Sequence, residues 1–168
     1  MRNVISRYFM DQQAIQDSYP EELSYCYGCG QQNEHGLHIK SLWDGNETIA
    51  VYTPQPYHIA IPGYVYGGLT ASLIDCHGTG TAAAAAYRNA GRAPGTEPAF
   101  RFVTASLHVD FLHPTPLGVP LTLRGKILEM KERKVIVEIT VSADGVICSR
   151  GKVIAVQMPD SMTPKGPK

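Results

Sequence analysis

Polar and apolar positions alternate through much of the second half of the chain. Over residues 100–112, Arg101, Val103, Ala105, Leu107, Val109 and Phe111 fall on one face, and Thr104, Ser106, His108 and Asp110 on the other. That period of two marks a strand. Three further runs follow at 119–130, 134–142 and 146–158, divided by a charged turn at Lys131-Glu132-Arg133 and by the hairpin signal Asp144-Gly145. Earlier in the chain, strands are predicted over about 37–43 and 47–53, turning at Asp44-Gly45-Asn46. Residues 52–63 carry Pro54, Pro56 and Pro62 and are predicted as a loop, because proline removes a ladder donor.

The period changes after Gly67-Gly68. Residues 69–89 read as one helix of roughly 30 Å. Leu69, Leu73, Ile74 and Cys76 supply an apolar face, while Ala71, Ser72, Gly78, Thr79, Gly80 and Ala82 to Ala86 are small enough to let a sheet wrap close to the axis. Gly91 to Pro98 ends it. Consecutive strands on short turns with one buried helix predict an α+β fold, an antiparallel sheet packed on that helix.

Composition narrows the function. The chain has 168 residues, of which 43% are hydrophobic and 18% charged, enough for one well-filled domain. Lys plus Arg and Asp plus Glu are both 15, so the net charge is zero and no basic field exists to hold a nucleic acid. Such a neutral surface also does little to keep copies of the chain apart. No apolar run approaches the roughly 18–20 residues of a membrane span. The start Met1-Arg2-Asn3 is basic, but Tyr8-Phe9-Met10 runs at once into Asp11-Gln12-Gln13, which leaves no signal-peptide core. A soluble cytoplasmic protein is expected, with Cys26, Cys29, Cys76 and Cys148 reduced.

Two features of the helix point to chemistry. Asp75 sits among apolar neighbours, and helical spacing stacks Gly68, Ala71, Ser72 and Thr79 around it. A carboxylate so placed reads either as a nucleophile or general base, or as a structural acid bonded to a nearby hydroxyl or amide. Gly67-Gly68 would expose the first unpaired helix amides to a ligand oxygen, as an oxyanion site requires, or would form a tight turn. His58 could border a pocket before the helix, whereas His77, two residues past Asp75, points elsewhere. Cys26 and Cys29 have the spacing of half a zinc site, but the remaining cysteines are distant in sequence and Cys76 lies on the helix, so no metal site is expected.

Taken in order, Pro62-Gly63-Tyr64-Val65-Tyr66-Gly67-Gly68, the helix acid nine positions past Tyr66, and the run Val103 to Pro114 resemble the hotdog-fold acyl-CoA thioesterases, within them the phenylacetyl-CoA-thioesterase-like group. The resemblance implies five to six antiparallel strands wrapped around one central helix. It implies a domain over residues 26–158, preceded by an arm at 1–25 and followed by a flexible tail at 159–168. Active sites at the interface of a homodimer are also implied, with a dimer of dimers, a homotetramer, left open. By the same resemblance Gly67 would donate its amide to a thioester carbonyl, Asp75 would attack it or activate water, and Thr104 would position that water. Gly68, Tyr66, His58, Ser106 and Arg133 would line the substrate, with Lys131, Arg133 and Lys134 near the phosphates of coenzyme A. Coenzyme A would enter as part of the substrate, with no separate cofactor and no metal. Tyr66 stands where the family commonly has His and is read as a packing residue. An enoyl-thioester hydratase or dehydratase and a non-catalytic acyl-CoA-binding protein are the alternatives.

Overall fold

The computed structural model describes residues 12–163; the first part of the expected arm and the end of the expected tail lie outside that span. Strands β1 (Ser41–Asp44), β2 (Glu47–Tyr52), β5 (Phe102–Phe111), β6 (Leu121–Lys131), β7 (Lys134–Ala143) and β8 (Val146–Gln157) form one antiparallel sheet in the order β1-β2-β6-β7-β8-β5. Its concave face holds a single long helix, α1 (Gly67–Asn89). Six strands around one helix is the arrangement the resemblance implies.

Small residues set how closely the layers meet. A methyl group added to Gly78 of α1 would fall 2.6 Å from Val153 of β8, and one added to Gly151 of β8 would fall 2.4 Å from Ile74. Both are well inside contact distance, so each glycine is required on one side for a branched side chain on the other. Leu73, Ile74, Leu121, Leu123, Val137, Ile139 and Val153 are fully buried where the layers touch. A helix buried on nearly all sides is what a stripe of alanine, glycine and threonine permits. At the β7–β8 turn, Asp144 and Gly145 both take positive φ, as a two-residue hairpin of the favoured hand demands.

Four details differ from expectation. First, α1 begins at Gly67, and residues 37–40 remain outside the ladder. Second, the predicted loop contains a hairpin, β3 (Ile59–Ile61) with β4 (Tyr64–Val65). Its turn falls on Pro62 and Gly63, the latter at φ 87°, so the proline costs no ladder bond. Third, β5 carries a bulge at Ala105, between the pairs Thr104↔Ala155 and Ser106↔Ile154. The extra residue reverses the faces. Phe102 and Thr104 look toward α1 before it; Leu107, Val109 and Phe111, paired with Val153, Gly151 and Ser149, do so after it.

Fourth, the lead-in packs as part of the body. A 3-10 turn at Ile15–Ser18 buries Ile15 and Gln16, with Ala14 buried just before it, and a second at Glu21–Leu23 stays at the surface. Gln16 donates to Ser41 Oγ at 3.0 Å and accepts from the Ser41 amide at 2.7 Å, which satisfies the free start of β1. No helix among the described residues is long and apolar enough to cross a membrane.

Candidate active site

Thr104 reaches across from β5 and donates its hydroxyl to Asp75 Oδ1. The bulge makes this contact: with unbroken alternation Thr104 would share the outward face with Ser106. The other small polar residues around Asp75 turn to the backbone. Ser72 donates to the Gly68 carbonyl at 2.8 Å, and Thr79 to the Asp75 carbonyl at 3.2 Å. Thr104 is therefore the one side chain among the described residues that bonds the carboxylate, which leaves lone pairs for a substrate or water. Burial pushes the Asp75 carboxyl above the ordinary range; the Thr104 hydroxyl pulls it down, the Cys26 thiol raises it and Arg101 lowers it.

Gly67 and Gly68 open α1 without a side-chain cap, and neither amide donates a backbone hydrogen bond among the described residues. Two bonds fix the approach to this end: the Tyr66 amide to the His58 carbonyl at 2.9 Å, and the Leu69 amide to the Tyr66 carbonyl at 3.1 Å. A 540 Å³ apolar cavity lies beside Gly67, walled by Ile61, Tyr64, Phe111, Leu112 and Pro114. Thr70 also lines it, and its buried hydroxyl has no hydrogen-bond partner. The Phe111 ring comes within 3.3 Å of where a Gly67 side chain would begin. The Tyr66 ring covers Gly68, where a methyl group would overlap it at 2.3 Å. Tyr66 is 58% exposed, more than a residue that only fills space would be.

Within one chain these two halves stay apart. Asp75 lies eight residue steps past Gly67 along α1, which puts roughly 12 Å of helix axis between them. One thioester carbonyl must place its carbon about 3 Å from the attacking group and its oxygen about 3 Å from the oxyanion donors. The structure thus joins Asp75 with Thr104 but not with Gly67 of the same molecule.

The other candidates scatter. Ser106 is exposed on the outer face of β5. His58 accepts from the Gln55 amide at 3.0 Å and meets Tyr57 edge-on, with burial lowering its pKa; it does not line the cavity at Gly67. Arg133 sits at the β6–β7 turn, where Lys131 and Lys134 pair with Glu129 and the guanidinium is exposed with no ion pair among the described residues. That turn adjoins Val156 and Gln157, cross-strand neighbours of Val103 and Phe102, so it lies at the Thr104 end of the sheet.

Two features escaped the sequence reading. Cys76 is distant from Cys26 and Cys29 along the chain but joins them in space. Arg101, grouped with apolar residues by alternation, is tucked beside them against the Tyr19 ring at 4.1 Å. A cation on an apolar face was the available signal.

Comparison with known proteins agrees with this architecture. A thioesterase superfamily protein of Shewanella loihica PV-4 is 53% identical, with a TM-score of 0.63 over 76% of this chain and 96% of that one. A Streptococcus mutans UA159 protein bound to acetyl CoA, 14% identical, shares the fold at a TM-score of 0.58 over 71% of this chain and 88% of its own. The Escherichia coli PaaI protein from the phenylacetic acid degradation operon, 16% identical, does so at 0.56 over 72% and 84%. The acyl-coenzyme A thioesterase THEM4 of Xenopus laevis is 32% identical over 87 residues, 52% of this chain; the chain spans about a third (33%) of that protein's length. The fold is the hotdog arrangement. Residues 62–148 match the thioesterase superfamily model, and the chain belongs to that superfamily.

Proposed function

We propose that the protein is an acyl-CoA thioesterase, hydrolysing a thioester to a free acid and coenzyme A, with each active site shared between two copies of the chain. The observation that carries this is Asp75: a half-buried carboxylate, held by Thr104, in a member of a thioesterase superfamily. Burial raises its pKa, which makes the ionised carboxylate a stronger base than a solvated one. Asp75 of one copy attacks the carbonyl or takes a proton from water; the Gly67 amide of the other copy holds the developing oxyanion. Thr104 orients the carboxylate. A coenzyme A chain would leave past the β6–β7 turn, with Arg133 available to its phosphates.

Two observations support pairing. The 12 Å gap leaves a one-chain site incomplete, and β5 is an edge strand with one unpaired side and exposed Leu107, Phe111 and Leu112 along it. Edge-to-edge pairing of β5 in a homodimer covers both.

The hydratase alternative wants a histidine paired with an acid near the helix start. Among the described residues His77 has both ring nitrogens bonded to hydroxyls, and His108 meets Asp110 at 3.1 Å with both side chains exposed. Asp75→Asn and wild type, assayed on a panel of acyl-CoA thioesters with a thiol reagent, test the proposal. Thiol release by wild type and its loss in the variant are expected. Tight acyl-CoA binding without thiol release would point to a binding protein instead.

A further inference from the structure

We propose that Cys26, Cys29 and Cys76 form a three-thiolate site for a divalent thiophilic cation, zinc, which ties the lead-in loop to the helix one residue past Asp75. The three sulfurs all lie within 4.8 Å of one another, with Cys26 and Cys76 at 3.6 Å. Two sulfurs bound at about 2.3 Å to one tetrahedral zinc stand about 3.8 Å apart, so an ion at the centre needs sub-ångström adjustment.

The loop is shaped around this cluster. Cys26-Tyr27-Gly28-Cys29-Gly30 forms a tight turn closed by the Gly30 amide on the Cys26 carbonyl at 2.7 Å. Both glycines are sterically required. A methyl group at Gly28 would fall 2.2 Å from Cys76 Sγ, and one at Gly30 would fall 2.4 Å from the Cys26 amide. Nothing in the thioesterase proposal requires Cys76 to be brought against this loop so closely.

Charge selects the ion. Three thiolates and a divalent cation sum to −1, and the tucked-in guanidinium of Arg101, beside Cys29 and with a buried Nη1 that lacks a partner, supplies +1. A monovalent soft ion would leave the site one unit more negative beside the Asp75 carboxylate. Cys29 and Cys76 are buried and Cys26 is half-exposed, so the fourth position opens on Cys26's side, where water completes the tetrahedron. This inference stands apart from the proposed hydrolysis and is tested by a different readout.

The full chain, purified reduced and stripped with a chelator, is titrated with cobalt(II) as a spectroscopic probe and with zinc. One ion per chain is expected, with the thiolate-to-cobalt charge-transfer band and the intense visible bands of tetrahedral cobalt. Cys29→Ser and Cys76→Ser should each lose the band, and Cys148→Ser should keep it. Arg101→Leu should weaken zinc binding by about 10–100-fold, the usual effect of losing an outer-shell partner. Alkylation mapping of the wild type provides a second reading that does not depend on the serine variants folding: zinc should protect Cys26 from modification. Absence of the band, a band undiminished in Cys76→Ser, or alkylation of Cys26 unchanged by zinc would each overturn the assignment.

Discussion

Asp75 and His77 lie two residues apart on α1, both ionisable, both surrounded by small residues, and they are used in opposite ways. Asp75 is half-buried, with one hydroxyl on one oxygen. His77 is fully buried and saturated: Nδ1 bonds Ser41 Oγ at 2.8 Å, Nε2 bonds Thr48 Oγ1 at 3.2 Å, and Thr48 bonds Thr81 at 2.5 Å. Gly125 leaves the room, since a methyl group there would meet Thr48 at 2.4 Å and His77 at 3.1 Å. A group whose bonding capacity is filled by the protein holds the fold together; one left partly unfilled at an accessible face can act on a ligand. Two residues of helical rotation, about 200°, separate the two environments.

The sharpest contrast is expected from paired substitutions. Asp75→Asn should lower acyl-CoA hydrolysis by about 10²–10⁴-fold, the usual worth of a general base, with circular dichroism unchanged. Its carboxyl is raised by folding, so Asp75 contributes stability that is present below its unfolded pKa and lost as pH rises through its folded one. At neutral pH the amide variant should therefore match or exceed wild type in urea unfolding.

His77 has the opposite sign. Burial depresses its pKa from 6.5 to about 4, so below pH 6.5 the unfolded chain takes up a proton that the native chain refuses. Stability is complete above the unfolded pKa and falls by about 3 kcal/mol as pH drops from 6.5 to 4. His77→Phe should flatten that part of the pH dependence. At pH 7 it should cost about 2–4 kcal/mol, because the Ser41 and Thr48 hydroxyls are left buried without their partner. Urea midpoints across pH check both, and turnover per folded molecule should change little.

Thr104→Val should reduce turnover by about ten-fold, the effect of losing one hydrogen bond to a charged group. The Thr104 hydroxyl lowers the Asp75 pKa, so its removal should move the acid limb of the kcat profile to higher pH; a purely structural threonine would leave that limb in place. The smallest effect belongs to Tyr66→Phe. With no hydrogen bond on its hydroxyl among the described residues, the change should stay within about 0.5 kcal/mol, or two-fold in rate.

Period and punctuation made the long strands, the helix and the Asp144-Gly145 turn legible, because alternation and glycine positions are local properties. The Thr104 contact was not reachable that way. One bulged residue, Ala105, reverses the faces of β5, and nothing in alternating apolar letters marks it. Asp75 stood out as an acid among small residues, but its partner depended on that reversal. The cysteine cluster escaped for a related reason: sequence spacing measures distance along the chain, and the fold returns Cys76 to the lead-in loop. The resemblance implied a site shared at a dimer interface, and the helix rise shows in physical terms why: it holds Gly67 and Asp75 apart in any single copy.

A complementation assay tests that separation most directly. Gly67→Pro removes the amide hydrogen at a helix position where proline is tolerated, and Tyr66 already has the extended φ −61°, ψ 127° that a following proline needs. Gly67→Pro and Asp75→Asn chains should each be inactive alone. Co-expressed, half of the randomly formed dimers would carry one intact site, restoring about a quarter of wild-type acyl-CoA hydrolysis. A mixture no more active than its parents would contradict a site shared between two copies.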